Sequence, residues 1–179
     1  MPPPPEEIDI ITNDFETVLE VDVTREVSFQ NLSELVRNPS PVFPIITSEY
    51  WMDTKGYVIM TCEHEGEVDT ALMMTARYVA EPLSLEDSFR PAREALDEWE
   101  PFVLRDIGSL VFPMMRGIEG ATPSDFVFIP GTSIKRATFD VNGVEAEIFS
   151  GWVLNYLFFS SSALCLEAAK TEIYAPHTH

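Results

Sequence analysis

Apolar residues recur at spacings of three and four along residues 104–120, LRDIGSLVFPMMRGIEG. The stripe consists of Ile107, Leu110, Val111, Met114, Met115 and Ile118. This spacing predicts an α-helix with one apolar face. Pro113 lies inside the stripe, and a proline removes one backbone donor and bends a helix, so we predict a bent helix whose Met-rich face lies on other apolar groups.

Two stretches in the first half of the chain have the period of β-strands. Val21, Val23 and Arg25 alternate with acidic residues and Thr24 within residues 15–29, which predicts a half-buried strand. Residues 56–65 and 69–80 are separated by a short turn around Gly66 and predict an antiparallel hairpin. Apolar residues occupy both faces of this hairpin, so we expect one face to cover helices and the other to meet a second subunit.

A second hairpin is predicted over residues 134–149. Asn142-Gly143 supplies the positive φ angles of a two-residue type I′ turn. This turn pairs Val141 with Val144, Phe139 with Ala146 and Ala137 with Ile148. Thr138, Asp140, Glu145 and Glu147 then point to the other face.

Two further helices are predicted on either side of these elements. Leu85–Trp99 has Pro91 near a plausible helix start and a charged side, which predicts a short helix. Residues 151–170 are apolar enough to predict a helix that is covered on most of its surface. We expect residues 1–12 to form a disordered proline-rich tail, residues 13–174 a single domain and residues 175–179 a frayed end.

The loop at residues 38–44, NPSPVFP, is rich in both proline and apolar residues. Three prolines exclude it from a sheet. Phe43, Tyr50 and Trp51 lie in or soon after it, and large apolar groups on a loop must pack or be offered to a partner.

The charge of the chain constrains its partners. With 30 acidic and 11 basic residues the net charge is −19. This argues against binding of nucleic acid or an anionic membrane and favours a basic partner. The longest apolar run, residues 152–169, is interrupted by polar residues and is shorter than the ~20 residues of a spanning helix, so no membrane insertion is expected.

No strong catalytic or metal motif is present. The chain lacks the P-loop, dinucleotide, esterase and zincin signatures. Cys62 and His64 would share one face of a strand, as a thiol and base or as two metal ligands, but two ligands do not make a site. We therefore predict no enzyme activity, no cofactor and no metal. Cys62 and Cys165 are the only cysteines, there is no CxxC and no signal peptide, so we expect reduced thiols and a cytoplasmic location.

Three short segments occur in an order that resembles the export chaperone family SecB. They are REVSFQ with PSPVF at residues 25–30 and 39–43, DTALMMTARYVA at 69–80, and SLVFPMMRGIEGAT at 109–122. The last contains the Phe-Pro-x-x-Arg pattern at Phe112, Pro113 and Arg116. The resemblance covers residues 23–130, and the chain departs from the family over residues 134–170.

The resemblance implies an α+β fold, an antiparallel β-sheet with helices packed on one face, here with an extra C-terminal hairpin and apolar helix. It also implies an ATP-independent holdase, a cytoplasmic dimer of dimers that binds unfolded or precursor polypeptides and passes them to the SecA motor. By position, the peptide-binding residues would be Phe43, Tyr50, Trp51, Met114 and Met115. The motor-binding residues would be Glu26, Glu67 and Asp69.

A structural assembly protein, such as a viral or phage ring or neck component, is the alternative function. It is motivated by the apolar excess after Ile134, which could form permanent subunit contacts. An enzyme is the third hypothesis, and stoichiometric zinc would revive it.

Overall fold

A computed structural model describes residues 21–28, 35–36, 38–45, 57–75, 85–153 and 155–174. The strands are β1 (Asp22–Ser28), β2 (Tyr57–His64), β3 (Glu67–Thr75), β4 (Val127–Phe128), β5 (Lys135–Val141), β6 (Val144–Val153) and β7 (Tyr156–Ser160). The helices are α1 (Phe43–Ile45), α2 (Leu85–Trp99), α3 (Val103–Val111) and α4 (Ala163–Tyr174), with 3-10 turns at Glu100–Phe102 and Ile118–Gly120.

The strands form one sheet in the order β1-β2-β3-β7-β6-β5-β4. Every neighbouring pair is antiparallel. Strands β1 to β3 make one meander, strands β4 to β7 make the other, and the pairing of β3 with β7 joins them. The predicted α+β class with an antiparallel sheet is confirmed.

Helices cover both faces of the sheet. Leu72 and Met74 of β3 belong to the core cluster that contains α2 and α3. Ala71 and Met73 point the other way, as alternation in a strand requires, and pack in the cluster that contains Cys165, Leu166 and Ala169 of α4. Helix α4 therefore covers part of the face on which a second subunit was expected.

Both predicted hairpins are confirmed. In β5 and β6, Val141 pairs with Val144, and Asn142 and Gly143 have φ angles of 53° and 83°. In β2 and β3, the turn falls at Glu65 and Gly66, both with positive φ. Helix α2 has the predicted bounds, Leu85–Trp99.

The helix predicted for residues 151–170 is wrong. Strand β6 continues to Val153, β7 occupies Tyr156–Ser160, and only Ala163–Tyr174 is helical. Periodicity cannot distinguish a strand buried on both faces from a buried helix, and both give a continuous apolar run. The aromatic content of the segment, with Asn155 between the two strands, was the signal for strands.

The single bent helix predicted for residues 104–120 is also wrong. Helix α3 ends at Val111, and Phe112 has φ −125° and ψ 68°. A proline disfavours the helical conformation of the preceding residue, so Pro113 ends the helix instead of bending it. The chain turns through residues 112–117 and returns as the 3-10 turn at Ile118–Gly120.

The expectation of reduced thiols is contradicted. Cys62 of β2 and Cys165 of α4 form a disulfide with a Cα–Cα distance of 5.6 Å. The two cysteines are 103 residues apart in sequence and meet because α4 lies on the face that carries Cys62. Within the described ranges, no helix has the length and hydropathy that crossing a membrane requires.

A buried carboxylate fastens the proline-rich loop to the helices. Asp106 of α3 is buried and accepts hydrogen bonds from the Ser40 backbone N–H at 2.7 Å and the Ser40 hydroxyl at 2.6 Å. Its Oδ2 also accepts from Trp99 Nε1 at 2.8 Å. Three donors from two segments satisfy this charge, which fixes the loop before Phe43 against the end of α2.

Removing the disulfide should lower stability. A bridge that closes a loop of this length typically contributes about 2–4 kcal/mol by restricting the unfolded chain. The Cys62→Ala/Cys165→Ala variant, and the wild type with reductant, should therefore unfold at lower denaturant than the untreated protein. Two titratable thiols in denatured, unreduced wild-type protein would contradict the bridge.

Asp106→Asn should cost about 2–3 kcal/mol of unfolding free energy, because the amide cannot accept all three hydrogen bonds that the carboxylate accepts. Asp125 is exposed, so Asp125→Asn is the matched control and should cost less than about 0.5 kcal/mol. Urea unfolding followed by tryptophan fluorescence measures both. Equal midpoints for the two variants would show that the Asp106 network contributes no net stability.

Candidate functional site

Residues 112–117 form a turn that is anchored at both of its ends. The Phe112 N–H donates to Gly108 O at 2.8 Å, and the Met115 N–H donates to Phe112 O at 3.1 Å. Gly117 has a φ of 83°, which reverses the chain toward α3. A Cβ at Gly108 would lie 3.1 Å from Ile118 Cγ1, so the missing side chain lets Ile118 pack directly on the helix.

This arrangement splits the predicted apolar stripe into a buried and an exposed part. Ile107, Val111 and Ile118 are buried in the core. Met115 is half-buried, whereas Met114 is 93% exposed. Met114 is therefore held on the surface by the turn that Pro113 causes.

Beneath Met114 lies an open groove of about 700 Å³, here called the Met groove. The turn forms one side, and the start of β3 and the tip of the β5–β6 hairpin form the other. Its lining residues are Val68, Asp69, Thr70, Val111, Phe112, Pro113, Met114, Met115, Arg116, Val141, Asn142, Val144 and Ser161. Val68 and Val144 are 61% and 59% exposed, so the groove presents apolar groups to solvent on both sides.

Five of the thirteen residues that line the Met groove are polar, and three of them, Asp69, Thr70 and Ser161, are linked by hydrogen bonds. Ser161 Oγ donates to Asp69 Oδ1 at 2.9 Å and accepts from the Thr70 N–H at 3.0 Å. The lining holds no cysteine, histidine or lysine. Such a surface suits binding of an apolar group better than covalent or acid–base chemistry.

The structure brings some of the predicted peptide-binding residues together. Met114 and Met115 both line the Met groove. Phe43 does not: it is 1% exposed, in the core, with its ring centroid 5.8 Å from that of Trp99. The Ser40–Asp106 hydrogen bonds hold its loop in that place. Tyr50 and Trp51 lie outside the described residues.

The predicted motor-binding acids are divided between two parts of the sheet. Asp69 lines the Met groove, and Glu67 is two residues away on β3. Glu26 lies on β1, two strands away, opposite Ile59. Asp69 pairs with Cys62 of β2, and Cys62 pairs with Val23 of β1. Glu26 is therefore three residues away from the β1 residue that lies level with Asp69.

Sequence analysis missed Val68, Val144 and Asn142 as groove residues. Val68 and Val144 are the first apolar residues after the two hairpin turns. Strand alternation contained the signal, because it places Val68 on the same face as Leu72 and Met74, and Val144 on the same face as Ala146 and Ile148. Recognising both valines as residues of one groove also requires knowing that the two hairpins belong to one sheet. Short-range sequence patterns do not show this.

The described residues contain no cluster with the composition of a metal site. Among the described residues, no three His, Cys, Asp or Glu side chains are placed to hold a metal ion. The disulfide removes Cys62 as a nucleophile or thiolate ligand.

One cluster contains titratable groups with shifted pKa values. Lys135 Nζ lies 2.8 Å from Glu100 Oε1 and 3.1 Å from Asp97 Oδ1. Burial raises the pKa of Glu100 and acts against the hydrogen bond from Lys135. Burial also lowers the pKa of Lys135, but the hydrogen bond and charge of Glu100, together with Asp97, outweigh it and leave that pKa raised. The cluster joins the end of α2 to β5 and is structural.

A second, more polar cavity of about 390 Å³ lies beside the proline-rich loop. Arg105, Asp106, Asn38 and Glu119 are among its lining residues. Arg105 donates to the backbone oxygens of Asn38 and Pro39 at 3.1 and 3.3 Å. Arg105 and Asp106 are thus both engaged in holding the loop, so of the two cavities described here the Met groove is the better candidate site.

No model of a protein family, no curated protein and no solved structure matches this chain. The resemblance to SecB therefore stays an expectation from the short segments quoted above. The confirmed prediction is the antiparallel α+β fold.

Proposed function

We propose that this protein is an ATP-independent holdase that binds unfolded polypeptide segments at the Met groove. The observation that carries the proposal is the exposure of Met114, Val68 and Val144 around one cavity. Exposed apolar residues that surround a groove are typical of interaction sites, whereas single exposed apolar residues are ordinary.

The chemistry of the lining suits clients of varied sequence. Methionine side chains are unbranched and polarisable, so Met114 and Met115 adapt to apolar groups of different shape. The groove is open, which suits a segment of a longer chain. A net charge of −19 helps to keep the complex with an apolar client soluble.

The wider setting of this proposal comes from the resemblance to SecB. It includes a dimer of dimers, a cytoplasmic location and transfer of precursor polypeptides to SecA, with Glu26, Glu67 and Asp69 as candidate contacts. The cysteines no longer support the cytoplasmic part, because they are bonded to each other and disulfides persist mainly in oxidising compartments.

An assembly protein is the second candidate, and β4 is the observation that favours it. This two-residue strand is at the edge of the sheet, with Val127 and Phe128 63% and 59% exposed. An apolar edge strand can pair with another copy. Mass by light scattering separates the two functions: a defined tetramer supports the holdase, and rings of higher order support assembly.

Replacing both methionines of the groove should weaken client binding. Each Met that becomes buried against a client contributes up to ~1.5–3 kcal/mol. Met114→Ser/Met115→Ser should therefore bind an unfolded client at least about tenfold more weakly, since ~1.4 kcal/mol is a factor of ten. The measurement is suppression of light scattering by an aggregation-prone client over a range of chaperone concentrations.

The matched control is Val127→Ser, which removes an exposed apolar side chain from β4 and should leave suppression unchanged. Thermal unfolding checks that each variant is folded. If stoichiometric wild-type protein does not reduce scattering, the holdase function is wrong. If the control weakens suppression as much as the double variant does, the Met groove is not the site.

A further inference from the structure

The sheet has a gap beside the Met groove because β7 is shorter than its two neighbours. Strand β7 has 5 residues, between β3 with 9 and β6 with 10. Its last residue, Ser160, pairs with Ala71 on one side and with Phe149 on the other. Residues 67–70 of β3 and 144–148 of β6 extend beyond this point, and no described strand lies between them. We call this gap the slot.

The dimensions of the slot are those of one missing strand. Strands β3 and β6 both neighbour β7, and adjacent strands are ~4.8 Å apart, so the slot is about 10 Å wide. At ~3.3 Å per residue, its length accommodates roughly four residues of extended chain. Val68, Thr70, Ser161 and Val144 line both the slot and the Met groove, so the two are continuous.

Backbone polar groups on both sides point into the slot. Thr70 O accepts from the Ser161 N–H at 3.0 Å, so Thr70 directs its backbone toward the β7 side, where Ser161 closes one end of the slot. Backbone direction alternates along a strand, so Val68 directs its N–H and C=O the same way. On the other side of the slot, Val144 pairs with Val141 across a two-residue turn, so the backbone N–H and C=O of Val144 point toward β5. Because this direction alternates along a strand, the backbone N–H and C=O of Glu145 and Glu147 point into the slot.

The two faces of the slot differ in chemistry. Val68 and Val144 lie on the face that carries Met114 and Met115, where the polar lining residues are Thr70, Arg116, Asn142 and Ser161. The opposite face carries Glu67, Asp69, Glu145 and Glu147, because these alternate with the apolar positions. Arg136 lies 3.7 Å from Glu147 and offsets part of this charge.

We propose that the slot binds an extended segment of a partner polypeptide as an additional strand in line with β7. The segment would alternate apolar residues, which face the Met groove, with lysine or arginine residues, which face the four carboxylates. Main-chain hydrogen bonds to Val68, Glu145 and Glu147 give affinity for any extended chain. The apolar face and the acidic face give the preference for alternating apolar and basic residues. The inference rests on the proposed holdase function and specifies how a client segment is held.

The outer edges of the sheet are poorer sites for the same segment. Strand β1 offers pairing on one side only and carries exposed Asp22, Arg25 and Glu26, which discourage edge pairing. Strand β4 has only two residues. The slot alone among the described strand edges offers pairing on both sides.

Labelled peptides of about seven residues, long enough to fill the slot, test the preference by fluorescence anisotropy. The first probe alternates valine and lysine, the second has the same composition in two blocks, and the third alternates valine and glutamate. We expect the first to bind at least about tenfold more tightly than the other two, since each loses either the apolar or the charged match. N-methylation of every second residue, which removes donors, should also abolish binding.

Two protein variants test the location. Val68→Pro removes the N–H that points into the slot and spares the bonds to β2, so it should weaken the Val/Lys peptide roughly fivefold, the value of about one hydrogen bond, relative to Val68→Ala. Glu145→Lys/Glu147→Lys changes two exposed residues and sets two lysines against the two remaining carboxylates, so it should abolish the preference for the lysine peptide over the glutamate peptide. Glu94→Lys/Glu98→Lys on α2 makes the same change of net charge elsewhere on the surface and is the control.

The outcomes separate this inference from the function on which it rests. If the wild type binds an unfolded client but does not prefer the alternating peptide, or if both slot variants bind it as their controls do, the strand-addition mode is wrong and the holdase function stands. If the wild type binds neither peptide nor client, both are wrong. Peptide binding that competes with self-association would make a second copy the occupant and would also overturn the proposal.

Discussion

The pairing of β3 with β7 is the interaction on which the rest of the structure depends. It joins residues about 90 positions apart and converts two local meanders into one sheet, as the hydrogen bond from Ser160 Oγ to Thr70 O illustrates. Each meander alone would expose its inner edge. Burial of Phe158 and Phe159 on opposite faces of β7 explains why this strand lies in the centre of the sheet. The disulfide reinforces the same junction, since Cys165 follows β7 closely and is bonded to β2.

The shortness of β7 explains why a candidate site exists at this end of the sheet. At Ser160 the chain leaves the sheet to start α4, while β3 and β6 continue to their hairpin turns. Pro113 and Gly108 complete the site from the helix side, the first by ending α3 and the second by letting Ile118 return against it. Ordinary features of folding, a strand end and a helix end, thus leave an apolar groove and two unpaired strand edges side by side. The cost of exposing Met114 is offset elsewhere by the sealed core around Trp99.

Local rules predicted the elements whose signals are local. The Asn142-Gly143 turn fixed a register that the structure reproduces, and α2 has the predicted bounds, although Pro91 lies inside the helix and not near its start. One local signal was misinterpreted, since Pro113 ends α3 and does not bend it. The other predictions failed where tertiary contacts decide. Residues 151–160 are apolar because they are covered on both faces, and only the sheet shows that the cover is α4 on one side and α2 with α3 on the other. Phe43 was predicted to be a peptide-binding residue, because the sequence around it does not show that its loop is hydrogen-bonded to Asp106. That carboxylate lies 63 positions later in the chain. Met114 and Met115, which were predicted to bind peptide from a bent helix, line the Met groove from a turn instead.

Amide hydrogen exchange with and without an unfolded client tests most directly the claim that the slot and the Met groove together hold extended chain. The account predicts new protection at the amides of Val68, Glu145 and Glu147, since these would gain main-chain partners, with no change along the outer edge of β1. Protection confined to the β1 or β4 edge, or none at a client concentration that saturates binding, would contradict it.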